Sequence, residues 1–138
     1  MDLQQLRLLF DLSLFILILL VQIIIYPGFR YYSKNDLIFW HRQYTKKISF
    51  VVIPLMVGQL IITIIFLLNR ASLYDISVAL LVIAVWIITF LYFVPAHRKI
   101  SDGTHSDAQL KQMLHINWLR TAIWFLILLI SFLEARMD

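Results

Sequence analysis

The sequence predicts an all-α fold, an integral-membrane antiparallel four-helix bundle, on three observations. Of 138 residues, 62% are hydrophobic and only 14% charged, against about 25% charged in an ordinary soluble domain. So small a globule has no interior large enough to hide that much apolar surface, so lipid must be the solvent. Four stretches then reach the roughly 20 mainly apolar residues that a spanning helix needs: 8–26, 48–68, 73–94 and 113–133. Finally, basic residues gather on the connections of one side. No composition shift marks a second unit, and residues 1–138 read as a single membrane domain.

The first span, Leu8–Tyr26, is too long for the core of a secretory signal and lacks an A-x-A-like site after it, so it is expected to be an uncleaved anchor. Pro27-Gly28 is expected to stop it, because proline disfavours a helical residue before it and glycine frees the turn. The second helix is expected to begin near Asn35, well before its apolar part. Its 35–47 segment sets Phe39, Trp40 and Tyr44 among Arg42, Lys46 and Lys47, the pattern of an interfacial extension. Pro54 and Gly58, one turn apart in this helix, predict either a kink or close packing against a neighbour.

Asn69-Arg70-Ala71-Ser72 makes a tight second connection, and Pro95 marks the end of the third span. Ser106 followed by Gln109 forms a capping box that starts the fourth helix before it enters the membrane.

With four spans, Arg30, Lys34, Arg42, Lys46, Lys47, Arg98, Lys99, Lys111 and Arg120 share one side, nine of the twelve lysines and arginines. The positive-inside rule makes that side cytoplasmic and leaves both termini outside the cytoplasm. Contact with anionic headgroups accounts for the basic pI of about 9.6. Nucleic acid is not an expected partner, for no soluble basic face with exposed aromatics is present. The expected partners are membrane lipids and a hydrophobic or anionic small molecule; self-association into a homo-oligomer stays open. The absence of cysteine excludes disulfides, thiolate nucleophiles, iron–sulfur clusters and thiolate zinc sites.

Polar residues recur at one depth in the inner half. Gln22 lies about one turn inside the end of span one, Thr89 at similar depth in span three, and Asn117, Arg120 and Thr121 one to two turns inside span four. Each belongs to a helical stripe: Gln22, Tyr26 and Phe29; Trp86, Thr89 or Phe90, Phe93 and His97; Asn117, Arg120, Thr121 and Trp124. Polar residues on such stripes turn toward the bundle interior, since lipid cannot satisfy them. Arg120 is the most informative, because a buried guanidinium wants a partner and Asp11, the acid deepest inside the spans, sits near the opposite end. The inner pocket is therefore expected to be cationic, with a place for a bound anion or a developing oxyanion. The bland alternatives are a snorkelling Arg120 and interhelical bonding by Gln22 and Gln59. Toward the outer half the polar stripe fades, which argues against a pore.

His41, at the head of helix two, and His97, at the foot of helix three, are expected to face each other. Two histidines from different helices are what a haem or a metal ion would use. No short motif such as H-E-x-x-H accompanies them, so no cofactor is favoured, with haem or metal the lesser alternative; no metal ligand is assigned.

At Pro27, at Thr89-Phe90-Leu91-Tyr92-Phe93-Val94-Pro95-Ala96-His97 and at Asn117-Trp118-Leu119-Arg120-Thr121, the chain resembles a known group. This is the four-helix membrane family of unknown function that includes the anthrone-oxygenase-like proteins; the chain is also similar to small membrane proteins of bacteria. That family tends to show a proline after helix one, a T…P-x-N element closing helix three and a W…H-x-x-R element opening helix four. Here His97 stands where the pattern has asparagine, and Asn117 where it has histidine. The resemblance implies cofactor-independent oxygenation of a phenolic or anthrone-like aromatic. Arg120 would then stabilise an enolate or phenolate, His97 would act as base, and Asn117 would complete the catalytic set. Gln22, Tyr26, His41, Trp86, Thr89, His115 and Thr121 complete the expected ligand site. His115 is the alternative base, although it lies about 200° around its helix from Asn117. The competing class is a non-enzymatic accessory or structural protein whose polar cluster only fixes helix packing.

Overall fold

The computed structural model describes residues 1–137. It contains four long helices: α1 (Leu3–Tyr31), α2 (Lys34–Asn69), α3 (Leu73–Ser101) and α4 (Asp107–Ala135). All four are long and apolar enough to cross a membrane. Each starts on a side-chain cap, which satisfies backbone N–H groups that have no helical partner. Asp2 accepts from the Gln5 amide at 2.8 Å, and Ser33, Ser72 and Ser106 accept from Asp36, Asp75 and Gln109 at 3.2, 3.1 and 3.3 Å. The Ser106–Gln109 capping box forms as the sequence predicts.

The helices run antiparallel in chain order. α1 packs on α2 and α4, and α3 on the same two, so the bundle is a closed ring of sequential neighbours. Leu14, Ile18, Met56, Val78, Val82, Val85, Trp124 and Ile127 fill its axis. The outer surface is lined by exposed Ile23, Ile24, Phe50, Ile61, Leu80, Leu91, Leu119 and Phe125. An apolar core inside an apolar exterior is the arrangement of a bundle solvated by lipid. The molecule is a small multi-pass membrane protein.

One expectation about helix ends is corrected: Pro27 does not stop α1, which carries on to Tyr31. Past Pro95, where the third span is expected to end, α3 likewise carries on, to Ser101. The device is the same in each. A π-turn covers Val21–Ile25 in α1 and Thr89–Phe93 in α3, with the Tyr26 amide bonded to the Val21 carbonyl and the Val94 amide to that of Thr89. Proline donates no amide and its ring crowds the carbonyl four residues back. A wider turn just before it relieves the crowding without breaking the rod, and such turns collect at functional sites.

α2 is likewise one uninterrupted helix through Pro54, and its 34–47 part belongs to the bundle, with Leu37 and His41 buried. Gly58 packs directly against the Phe10 ring of α1, where any Cβ would collide. Of the two readings of Pro54 and Gly58, close packing is the one realised at Gly58.

At the inner end α3 closes in a Schellman turn. Gly103, at φ 74°, donates to Ile100 at 3.1 Å, and Thr104 donates to Lys99 at 2.9 Å. His105, in the loop that follows, is buried; that burial, then the Lys34 charge, holds its imidazole below the ordinary histidine range.

Candidate functional site

In the half of the bundle nearest the α3–α4 connection, α2 and α3 part to leave a cavity of about 400 Å³. Its walls are mostly apolar, with Val52, Ile53 and Met56 of α2, Phe90 and Phe93 of α3 and Val21 of α1. The polar exceptions converge from all four helices. Trp86, Thr89 and His97 come from α3 at i, i+3 and i+11, Tyr26 from α1, and Arg120 reaches across from α4. Tyr44 of α2 lines the same space. The stripe Trp86, Thr89, Phe93 and His97 faces this cavity as its spacing predicts.

Three of these groups lack a partner. The Trp86 indole N–H, the Thr89 hydroxyl and the Arg120 Nε are all buried and unbonded. Each buried unpaired donor costs about 1–3 kcal/mol, so their presence in one cavity asks for an acceptor there.

Arg120 is 7% exposed and does not snorkel. Its guanidinium lies over the Phe93 ring at 4.1 Å from the centroid and over Trp124 at 5.3 Å. Among the described residues the ion pairs go to Arg7 and Arg70, and none to Arg120. Ring faces hold a cation weakly, by about 0.5–2 kcal/mol, and leave the in-plane Nε–H free to donate.

The two histidines meet. His41 Nε2 and His97 Nδ1 lie 2.8 Å apart, His97 Nε2 is 2.9 Å from the Tyr26 hydroxyl, and His41 Nδ1 is 2.9 Å from the Ser101 hydroxyl. The facing nitrogens are thus already engaged with each other. Among the described residues no group of three or more His, Cys, Asp or Glu side chains could hold a metal ion.

Not every expected residue comes to the cavity. Asn117 donates to the Gln22 side chain at 2.8 Å, and Gln22 donates to the Leu114 carbonyl at 3.3 Å. The pair clasps α1 to α4 beside the cavity. Thr121 turns its hydroxyl back to the Asn117 carbonyl at 3.0 Å. His115 is exposed and bonds the Lys111 carbonyl of its own helix at 3.0 Å, away from the site.

A second buried polar group, at the opposite end, corrects the expectation that polarity fades outward. Arg7 of α1 donates to Asp75 of α3 at 2.9 Å and Glu134 of α4 at 2.7 Å. Arg70 adds a bond to Glu134 at 2.8 Å, and both guanidiniums face the Phe66 ring at 4.7 and 4.6 Å. One layer in, Gln59 of α2 donates to Asp11 at 2.7 Å and accepts from the Trp124 indole at 3.3 Å. Arg7 and Glu134 lie just outside spans one and four and Asp75 at the third residue of span three, so depth alone singles out none of them. The available signal was opposite charge at matching depth on three helices whose ends converge.

Fold and composition define the class, a small membrane protein of four apolar helices. No protein family, curated protein or solved structure matches the chain.

Proposed function

We propose that the cavity between α2 and α3 binds a membrane-soluble amphipathic molecule carrying an anionic or phenolic oxygen. The observation that carries this reading is the meeting of three unpartnered buried donors, on Trp86, Thr89 and Arg120, in one apolar cavity. The head would accept from them, and the apolar body would lie on Val52, Met56 and Phe90. Pockets that fix a head with a few polar groups and leave the rest apolar have this composition.

The test is thermal unfolding of the detergent-purified protein with dodecanoate, nonylphenol or dodecane. Dodecanoate and nonylphenol should raise the midpoint and dodecane should not; equal shifts from all three would leave only apolar partitioning. The enzymatic form of this reading is cofactor-independent oxygenation, supported by a base (His97) and a cation (Arg120) on one cavity. An anthrone and dioxygen would give the quinone and water. Oxygen uptake by the same preparation with anthrone tests it, and a rate equal to buffer alone would remove it. The packing reading is supported by the Gln22–Asn117 bond, which joins two helices and needs no ligand.

We further propose that both termini lie outside the cytoplasm, which places the cavity in the cytoplasmic half. Reporters fused at the C-terminus should be active only outside; a cytoplasmic signal would invert the assignment.

A further inference from the structure

A chain of hydrogen bonds leads from the half-buried end of α3 to the cavity, where Arg120 also meets its last member, Tyr26. It runs Ser101 hydroxyl, His41 imidazole, His97 imidazole, Tyr26 hydroxyl, with every link at 2.8–2.9 Å. Ser101 lies at the last residue of α3, where the Arg42 Nε also donates to its carbonyl at 2.9 Å. Tyr26 and His97 line the cavity. His41, in between, is 0% exposed and has no access to water of its own.

The chemistry of the partners is what distinguishes this chain. A histidine whose second nitrogen meets a carboxylate or a backbone carbonyl is locked in one tautomer, because that partner can only accept. Here each of the four ring nitrogens meets a hydroxyl or another imidazole, and all of those both donate and accept. Two complete polarities therefore exist, one with every proton pointing outward and one with every proton pointing inward. The other titratable or charged groups near the pair are Tyr44 of α2, Arg120 of α4 and His105 of the loop. None of them bonds either ring among the described residues.

We infer that Tyr26, His97, His41 and Ser101 are a proton relay joining the cavity to the aqueous phase at the inner end of the bundle. In the outward step the Tyr26 O–H bond breaks as His97 Nε2–H forms, and His97 Nδ1–H breaks as His41 Nε2–H forms. His41 Nδ1–H then breaks as a new Ser101 O–H forms, and the original Ser101 proton leaves to water. Tyr26 is restored by the proton of an acidic head in the cavity. Each passage reverses the chain, so the next one runs inward. Such a device equilibrates the protonation of a bound molecule with one aqueous phase, and does not pump. What the proton serves rests on the ligand reading above; the relay itself does not.

The test needs no ligand. The full chain, labelled with 15N-histidine in phospholipid nanodiscs, is followed by the exchange of the His97 imidazole proton with D2O. In the unaltered protein this exchange should be readily seen. It should slow by about 100-fold in Ser101→Val and His41→Phe, the lower range of what a positioned proton donor contributes. Backbone amide protection along α3 should stay as it was, which separates a cut relay from a loosened helix. Should His41→Phe fail to fold, Ser101→Val decides alone, since it removes one surface hydroxyl. Equal exchange in the protein and its variants would mean that water reaches His97 through the cavity, and an unexchanging His97 in the unaltered protein would mean a single locked tautomer; either overturns the relay. Loss of dodecanoate binding would leave this result untouched.

Discussion

Arg7→Met should lower stability by about 3–5 kcal/mol, the usual cost of removing one partner from a buried ionic group. Arg7 is 2% exposed, and one of its nitrogens serves both Asp75 and Glu134, themselves 1% and 3% exposed. Without it, two carboxylates from different helices are left with the Ser72 hydroxyl and with Arg70, which is one-third exposed and stands 2.8 Å from Glu134 but 3.5 Å from Asp75. Two anions sharing one part-exposed cation in an apolar surrounding would press the ends of α3 and α4 apart. Denaturant or thermal unfolding in detergent measures the loss. A change below about 1 kcal/mol, the range of a surface pair, would mean that water reaches this cluster. The triple replacement Arg7→Met, Asp75→Leu and Glu134→Met should recover most of the loss, because apolar groups of similar volume commonly match a buried ionic group in stability.

Arg120→Met should do the opposite to stability and the greater harm to binding. Among the described residues no carboxylate pairs with Arg120, so methionine removes an insertion cost of about 2.5–3.5 kcal/mol. Against this stands the loss of the ring-face contacts with Phe93 and Trp124, about 0.5–2 kcal/mol. The variant is expected to be unchanged in stability or more stable, by up to about 3 kcal/mol. Its affinity for dodecanoate should fall about 10–150-fold, the equivalent of one hydrogen bond to a charged group, at about 1.5–3 kcal/mol. Unfolding curves with and without dodecanoate give both quantities. If Arg120→Met instead destabilised the protein as severely as Arg7→Met, Arg120 would be a packing element, and the cavity would lose its argument for a ligand. The same residue type in one bundle thus carries opposite expected signs, decided only by whether an acid stands beside it.

Much of the candidate site was legible because helical spacing is local. Trp86, Thr89, Phe93 and His97 share a face by arithmetic, and the cavity lies on that face. The depth of Arg120 likewise followed from counting residues from the span end. The end of α1 was not legible, for an equally definite reason. Pro27-Gly28 has the composition of a helix stop, and a π-turn before the proline lets the rod pass it. The outer cluster escaped notice because Arg7, Asp75 and Glu134 each lie near a span end, where water is ordinarily at hand.

Composition and periodicity by themselves determined the membrane setting, the four spans, the capped start of α4 and the inner polar depth, since each depends on residues close in the chain. Tertiary structure alone decided the pairings: Arg7 with two acids, Asn117 with Gln22, His41 with His97, and Arg120 with aromatic faces. The physical reason is one of range. Hydropathy reports how deep a side chain sits, whereas a hydrogen bond needs two atoms about 3 Å apart, and that depends on how each helix is turned about its axis against its neighbours.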